Sequence, residues 1–424
     1  MLKYINLRYK PIKEDLICEY YLEPNRISFE KTCEHIAGES SIGTWTTIST
    51  MNPKIARKLK PKVYSINKRS GTIKIAYPVE LFEPGNMPQI LSSIAGNIFG
   101  MKAVKNLRLE DIHFPKKLVN SFKGPKFGIK GLRKLSRIKD RPLVGTIVKP
   151  KVGLTASQHA KVAYEAWVGG LDTVKEDENL GSMKFNNFYD RFLKTMKMKN
   201  KAEKETGEVK FYMPNITSET DEMIKRGEFV KKHGGNYLMV DILTTGWAGF
   251  QTVRKHEFNL PLHCHRAMHA AITKNPKHGI SMLTIAKITR LIGGDTLHIG
   301  TAAIGKMIGS KQDELAIEHD IENQYIHEND KLHMLSQKWY NIKPTMAVAS
   351  GGLQPGMIPK LVDTMGKDVV YQFGGGVHGN SFGTRAGAKA VRQALDAALQ
   401  GISLREYSKS HKELKQAVAQ WGVK

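Results

Sequence analysis

The sequence predicts an α/β protein in which a C-terminal (β/α)8 (TIM) barrel follows a smaller N-terminal α+β domain of ferredoxin-like type. Three observations carry this. From about residue 142 onward, eight short β-type runs alternate with helix-like stretches. Six of those eight runs end in charged or glycine-rich residues, and such barrels collect their chemistry at the C-terminal ends of the strands. Residues 1 to about 130 show instead a mixed pattern, closed by a basic stretch with Pro and Gly.

In chain order, MLKYINLRY and VYSINKRSGTIKIAYPVELF read as strands, the second folded at Arg69-Ser70-Gly71. EKTCEHIAGES and NMPQILSSIAGNIFG read as helices. FPKKLVNSFKGPKFGIKGLRKLSRIKDRP reads as a connecting segment, which divides the chain into domains 1–130 and 131–424. The barrel runs are LVGTIVK, LDTVK, VKFYMPN, YLMVDIL, PLHCH, TLHIG, TMAVAS and VVYQFGG, with helices such as ASQHAKVAYEAWVGG and GISMLTIAKITRLIGG between them. Further helices close the C-terminus.

Composition bounds the function. Of 424 residues, 41% are hydrophobic and 25% charged, as in a globular protein with a sizeable core. No apolar run of about 18 residues occurs, so no membrane span is expected. The N-terminus lacks a signal-like apolar region, and the three cysteines show no paired spacing. Together these point to a reducing, cytoplasmic setting without disulfides or a zinc site. The net charge of +25 admits a nucleic-acid partner. The basic residues are spread along the whole chain without interleaved aromatics, however, which reads better as a generally lysine-rich surface; a polyanionic small substrate is a further reading that the strand-end residues support independently.

The strand ends carry the chemistry. The second run ends in Lys175-Glu176-Asp177-Glu178. Asp177 and Glu178 could turn onto one hard cation such as Mg2+; a solvated acidic loop or a structural ion pair is the plainer reading. Lys175 beside a metal must swing away or lose its charge, and reaction with CO2 to a carbamate would make it an anionic oxygen ligand. The first run ends in Lys149-Pro150-Lys151 and the fifth in His263-Cys264-His265-Arg266. His298 ends the sixth, and a glycine-spaced loop carrying Lys306 follows it. Such a loop can close as a lid, or it can be a mobile loop with an exposed lysine. Ser350-Gly351-Gly352 and Gly374-Gly375-Gly376 end the last two runs, where barrels commonly hold phosphate on backbone N–H groups. A metal site flanked by two anion sites describes a sugar-bisphosphate enzyme.

These motifs resemble the large subunit of ribulose-1,5-bisphosphate carboxylase/oxygenase (RuBisCO) over nearly the whole chain. GLDTVKEDEN resembles its activation motif, which implies carbamylated Lys175 (N6-carboxylysine), Asp177 and Glu178 as Mg2+ ligands. GTIVKPKVGL implies a proton-shuttling Lys149 with Lys151 beside it, and HCHRAMH a catalytic His265 with a phosphate-binding Arg266. LHIGT adds His298, and GTAAIGKM places Lys306 at the incoming CO2. VASGG and QFGGG imply substrate contacts at Ser350, Gly351, Gly352, Gln372, Gly374 and Gly375. AGESSIGTWTT and SSIAGNIFGMK resemble segments that complete a neighbouring subunit's active site through Glu39, Thr44, Trp45 and Asn97.

The resemblance implies a lyase that adds CO2, or O2, to the enediolate of ribulose 1,5-bisphosphate and yields two 3-phosphoglycerates. It implies a homodimer at minimum, with a ring of dimers as a larger option and no small subunit. Several positions depart from the plant pattern. Ile147 stands where threonine is usual, with Thr146 one place earlier; the lid loop has one extra residue; Met307 follows its lysine; and Glu176 replaces an aspartate. These resemble the archaeal form III type, which implies a role in salvaging the ribose of nucleotides such as AMP. A RuBisCO-like enolase or isomerase is the nearest alternative, and retention of Lys306, His298 and Glu39 argues against it. A basic nucleic-acid-binding protein is the alternative from another class.

Overall fold

The computed structural model describes residues 2–44, 46–307 and 309–424. The chain forms two compact units: Met1–Gly124 with Met268–Ile292 and Asn323–Ile342, and Pro125–Ala267 with Gly293–Glu322 and Lys343–Lys424.

The first unit is built on a five-stranded sheet in which Val104–His113, Leu16–Pro24, Thr72–Tyr77 and Lys62–Asn67 follow in that order, with the short strand Gly279–Ile280 added parallel to Val104–His113 at the edge. Helices Phe29–Glu39 and Met87–Ile94 occupy the first and last connections. Strand-helix-strand-strand-helix-strand in the spatial order 4-1-3-2 is the ferredoxin-like arrangement. The hairpin at 69–71 forms as the sequence suggests. The N-terminal run does not form a strand. It makes one bridge, Ile5 to Val63, because the Glu34 carboxylate takes the Tyr4 and Ile5 N–H groups at 2.6 and 3.0 Å. The strands Leu16–Pro24 and Val104–His113 have no counterpart in the sequence reading. Helix Met282–Ile292 follows the fifth barrel strand in sequence but packs in this unit. Its Lys287 Nζ donates to Asp111 Oδ2 at 2.7 Å, with both side chains fully buried.

The second unit is the barrel. Its strands are Leu143–Ile147, Thr173–Lys175, Phe211–Met213, Leu238–Asp241, Leu262–His265, Thr296–His298, Met346–Ser350 and Val369–Phe373, here strands one to eight. They hydrogen-bond in the order three, two, one, eight, seven, six, five, four. An Asn215–Met239 bridge between three and four closes the ring. Every strand is parallel to its neighbours, and nearly every strand residue is buried, as expected for strands covered on both faces.

The basic stretch 114–142 is more than a connection. It carries helix Gly128–Ser136, whose Leu132 packs with Leu143, Phe211, Tyr237, Met346 and Val370. These residues sit at the strand beginnings, so the helix plugs the base of the barrel. Asp295 fixes it by accepting from Phe127 N and Gly128 N at 2.7 and 2.9 Å, and from Leu262 N at 3.0 Å. The apolar stripe of this helix was hidden among its lysines and arginines.

Candidate active site

Strand two delivers the acidic cluster. Alternation along an extended chain sends Lys175 and Asp177 to one side and Glu176 to the other. Glu176 meets Arg191 in two bonds of 2.6 and 2.9 Å, and also accepts from Tyr212 Oη and, at 2.9 Å, from Asn215 N. It belongs to the buried layer behind the strand. Lys175 is fully buried; its Nζ donates to Glu176 O at 2.8 Å and stands 3.5 Å from Glu178 Oε2. Burial pulls the ammonium's pKa down, against the attraction of Glu178, Asp241 and Asp177. A lysine driven toward the neutral amine is a nucleophile. Asp177 Oδ2 accepts from Lys149 Nζ at 2.6 Å, and Glu178 Oε1 lies 3.8 Å from Lys151 Nζ. Burial alone would raise Glu178, but Lys175 and His265 bring it down to about 2.

Strands four to six add a polar chain. His265 Nδ1 bonds Asp241 Oδ1 at 2.9 Å, leaving Nε2 directed at Glu178, 3.6 Å away. His263, two residues earlier and on the same face, contacts Thr296 Oγ1 at 2.9 Å and His298 Nε2 at 3.0 Å. The His298 ring lies 4.9 and 4.7 Å from those of His263 and His265. Burial holds both His263 and His298 well below the ordinary range, so both are neutral. Arg266 is pulled down to about 10 by burial, with Glu314 opposing. His263 is named in the sequence reading only as part of the fifth strand end, without a role of its own. Asp241 has no place in that reading; its signal is an acid ending the apolar run YLMVD.

Strands seven and eight end in open glycine turns. Gly351 and Gly352 have φ of +134° and +69°, which side chains rarely adopt. The loop carrying Lys306 rests here: Lys306 N donates to Gly351 O at 2.9 Å, and the Lys306 side chain lies where a Gly352 Cβ would stand. Ser350 is in register with Gln372. Gln372 is buried and, among the described residues, its Oε1 has no partner. Gly374 faces Lys149, and Gly375 opens onto free space. Thr146 turns its hydroxyl to Phe373 O and His378 Nε2 at 2.6 and 2.8 Å.

The structure thus gathers Lys149, Lys151, Lys175, Asp177, Glu178, His265, His298 and Arg266 with the Lys306 loop and both glycine turns within the barrel unit. Glu39, Thr44 and Asn97 lie in the other unit. Glu39 ends helix Phe29–Glu39, and with Thr44, Tyr4 and His35 it lines a cavity of about 670 Å³. Asn97 opens the turn Asn97–Gly100. Trp45 lies outside the described residues.

Comparison with known proteins decides the family. The ribulose bisphosphate carboxylase large chain N-terminal domain matches residues 3–118, and the catalytic domain of the same chain matches residues 128–421. The chain belongs to the ribulose bisphosphate carboxylase large-chain family. Among relatives, the ribulose bisphosphate carboxylase of Methanosarcina mazei is 52% identical, covering 99% of this chain and 98% of that protein. That of Methanocaldococcus jannaschii is 50% identical over 99% of each. Among solved structures, the dimeric archaeal Rubisco of Hyperthermus butylicus superposes with a TM-score of 0.94 at 45% identity, covering 99% of this chain and 98% of that one. The octameric Rubisco of Pyrococcus horikoshii gives 0.92 at 46% identity, covering 99% and 96%.

Magnesium is the metal such a family implies, and the donors here suit it. Asp177 and Glu178 offer carboxylate oxygens, the ligands a small hard dication prefers. Among the described residues no three His, Cys, Asp or Glu side chains form a ready-made cluster.

Proposed function

We propose that this chain catalyses the carboxylation, and competing oxygenation, of ribulose 1,5-bisphosphate, giving two molecules of 3-phosphoglycerate on carboxylation. The observation that carries this reading is Lys175: fully buried, driven toward the free amine, and set at the strand end between Asp177 and Glu178. A neutral amine can attack CO2; the nitrogen–carbon bond forms, a proton leaves, and a carbamate results. With Asp177 and Glu178 it would hold Mg2+, which when bound supplies Lewis-acid polarisation of the substrate's oxygens.

The remaining steps fall to the chain's own groups. The Lys175 carbamate takes the C3 proton of the sugar as general base. Lys149, on Asp177, moves protons at the other end of the enediolate. Lys306, carried by the lid, stabilises the carboxylate that forms when CO2 adds. His265, oriented through Nδ1 by Asp241, presents Nε2 for hydration and cleavage. Arg266 and His298 take one phosphate, with Lys151 near the mouth. Ser350, Gly351, Gly352, Gln372, Gly374 and Gly375 supply the remaining substrate contacts. Glu39, Thr44, Trp45 and Asn97 complete the site of a partner subunit, so the working unit is a homodimer without small subunits; the dimeric and octameric solved relatives support self-assembly. Kinship with archaeal enzymes supports a role in recovering the ribose of nucleotides such as AMP.

The test is incubation with Mg2+, ribulose 1,5-bisphosphate and labelled CO2. Labelled 3-phosphoglycerate is expected from the parent protein and none from Lys175→Ala. Enolisation of substrate without labelled product would assign the chain to the enolase-like alternative.

A further inference from the structure

The lid loop grows out of strand six, and its root is strained. Ala302 and Ala303 both have positive φ, +48° and +59°, a conformation non-glycine residues take only where the surroundings hold them. Backbone in this form turns successive N–H groups toward one point, making a small anion-binding concavity. That point is already filled from within the chain. Glu314, 6% exposed in the first turn of helix Lys311–Glu322, accepts from Thr301 N at 2.9 Å and from Ala303 N at 3.3 Å through Oε2. Two glycines flank the loop, and both crowd this same carboxylate: a Cβ on Gly300 or Gly309 would stand 2.0 or 1.9 Å from Glu314 Oε1. Gly300 also has φ of +126°. Both ends of the loop therefore meet on one side chain. Glu314 is also the charge that opposes the effect of burial on Arg266.

We propose that Glu314 is the positioning residue of the lid: its carboxylate clamps both ends of the loop to the helix behind it and sets the point from which Lys306 moves. The role given to Lys306 rests on the carboxylase reading; the clamp itself does not.

The experiment compares the parent with Glu314→Leu and Glu314→Gln. Amide hydrogen exchange at 301–303 without ligand tests the clamp. Losing two accepted hydrogen bonds should speed it by roughly tenfold or more in Glu314→Leu. Glu314→Gln keeps an acceptor oxygen and should restore most of the slow exchange. In turnover, Glu314→Leu should lose kcat while the KM for ribulose 1,5-bisphosphate changes little. Unchanged exchange at 301–303 in Glu314→Leu overturns the clamp, whether or not the parent proves to be a carboxylase. Unchanged kcat in Glu314→Leu, with an active parent, overturns the positioning of Lys306. An inactive parent with faster exchange in Glu314→Leu would reject the carboxylase reading and keep the clamp.

Discussion

Glu176 turns away from its acidic neighbours onto Arg191, and neither side chain is exposed. Removing one charge of such a pair strands the other. Glu176→Gln is expected to cost about 3 kcal/mol of stability, measured by urea unfolding. His159, 1% exposed on helix Ala156–Val168, is pushed by burial from 6.5 down to about 4. The unfolded chain protonates it at higher pH than the folded chain does. Its contribution is therefore complete above about pH 6.5 and lost as pH falls toward about 4, on the order of 3 kcal/mol in all. A parent that loses stability over this window no faster than His159→Gln would overturn the assignment. At this scale the sequence was readable where a residue's neighbours in the chain decide its direction, as for Glu176 opposite Lys175 and Asp177. It was unreadable where the partner arrives from another strand. Nothing local to Asp241 announces His265, and nothing local to His263 announces His298.

The plug helix makes a sharp test among the elements. Leu132 is 2% exposed among strand beginnings, so Leu132→Ala should cost about 2–5 kcal/mol through the cavity it leaves. Calorimetry or urea unfolding would measure it, and a loss under about 1 kcal/mol would mean that the base packs without this helix. All eight barrel strands were legible because each is a compact apolar run buried on both faces. The plug was not, because five of its nine residues are Gly, Lys or Arg, and its stripe is only three residues wide. Leu16–Pro24 was passed over because its alternation includes Glu19 and Glu23, acids that find His333 and Lys105 as partners. Among the described residues, the run 1–9 makes only one bridge to the strand Lys62–Asn67, at Ile5 and Val63, and the Glu34 side chain takes the Tyr4 and Ile5 N–H groups.

For the assembled molecule, the decisive claim is that two chains share each site. Glu39→Gln and Lys175→Ala chains should each be nearly inactive alone. A mixture exchanged at equal amounts should regain about a quarter of the sites, since half of the dimers are mixed and each mixed dimer carries one intact site. No recovery, with mixed dimers demonstrated by mass spectrometry, would place the whole site within one chain. The fold class was open to the sequence because repetition reveals it, but a sharing of residues between subunits would have no repeat to betray it and is proposed from family resemblance.

The plugged base has a consequence for traffic. With its interior packed and its base plugged, the barrel opens only at the strand ends, where the loop carrying Lys306 rests on Gly351. If that loop closes over the proposed site, reactants and products would pass the same loop, and retention and release could not be tuned independently. Any change that shuts it more firmly should then hold products as tenaciously as it holds substrate, and the pace of the whole cycle would be bounded by how often the loop swings open.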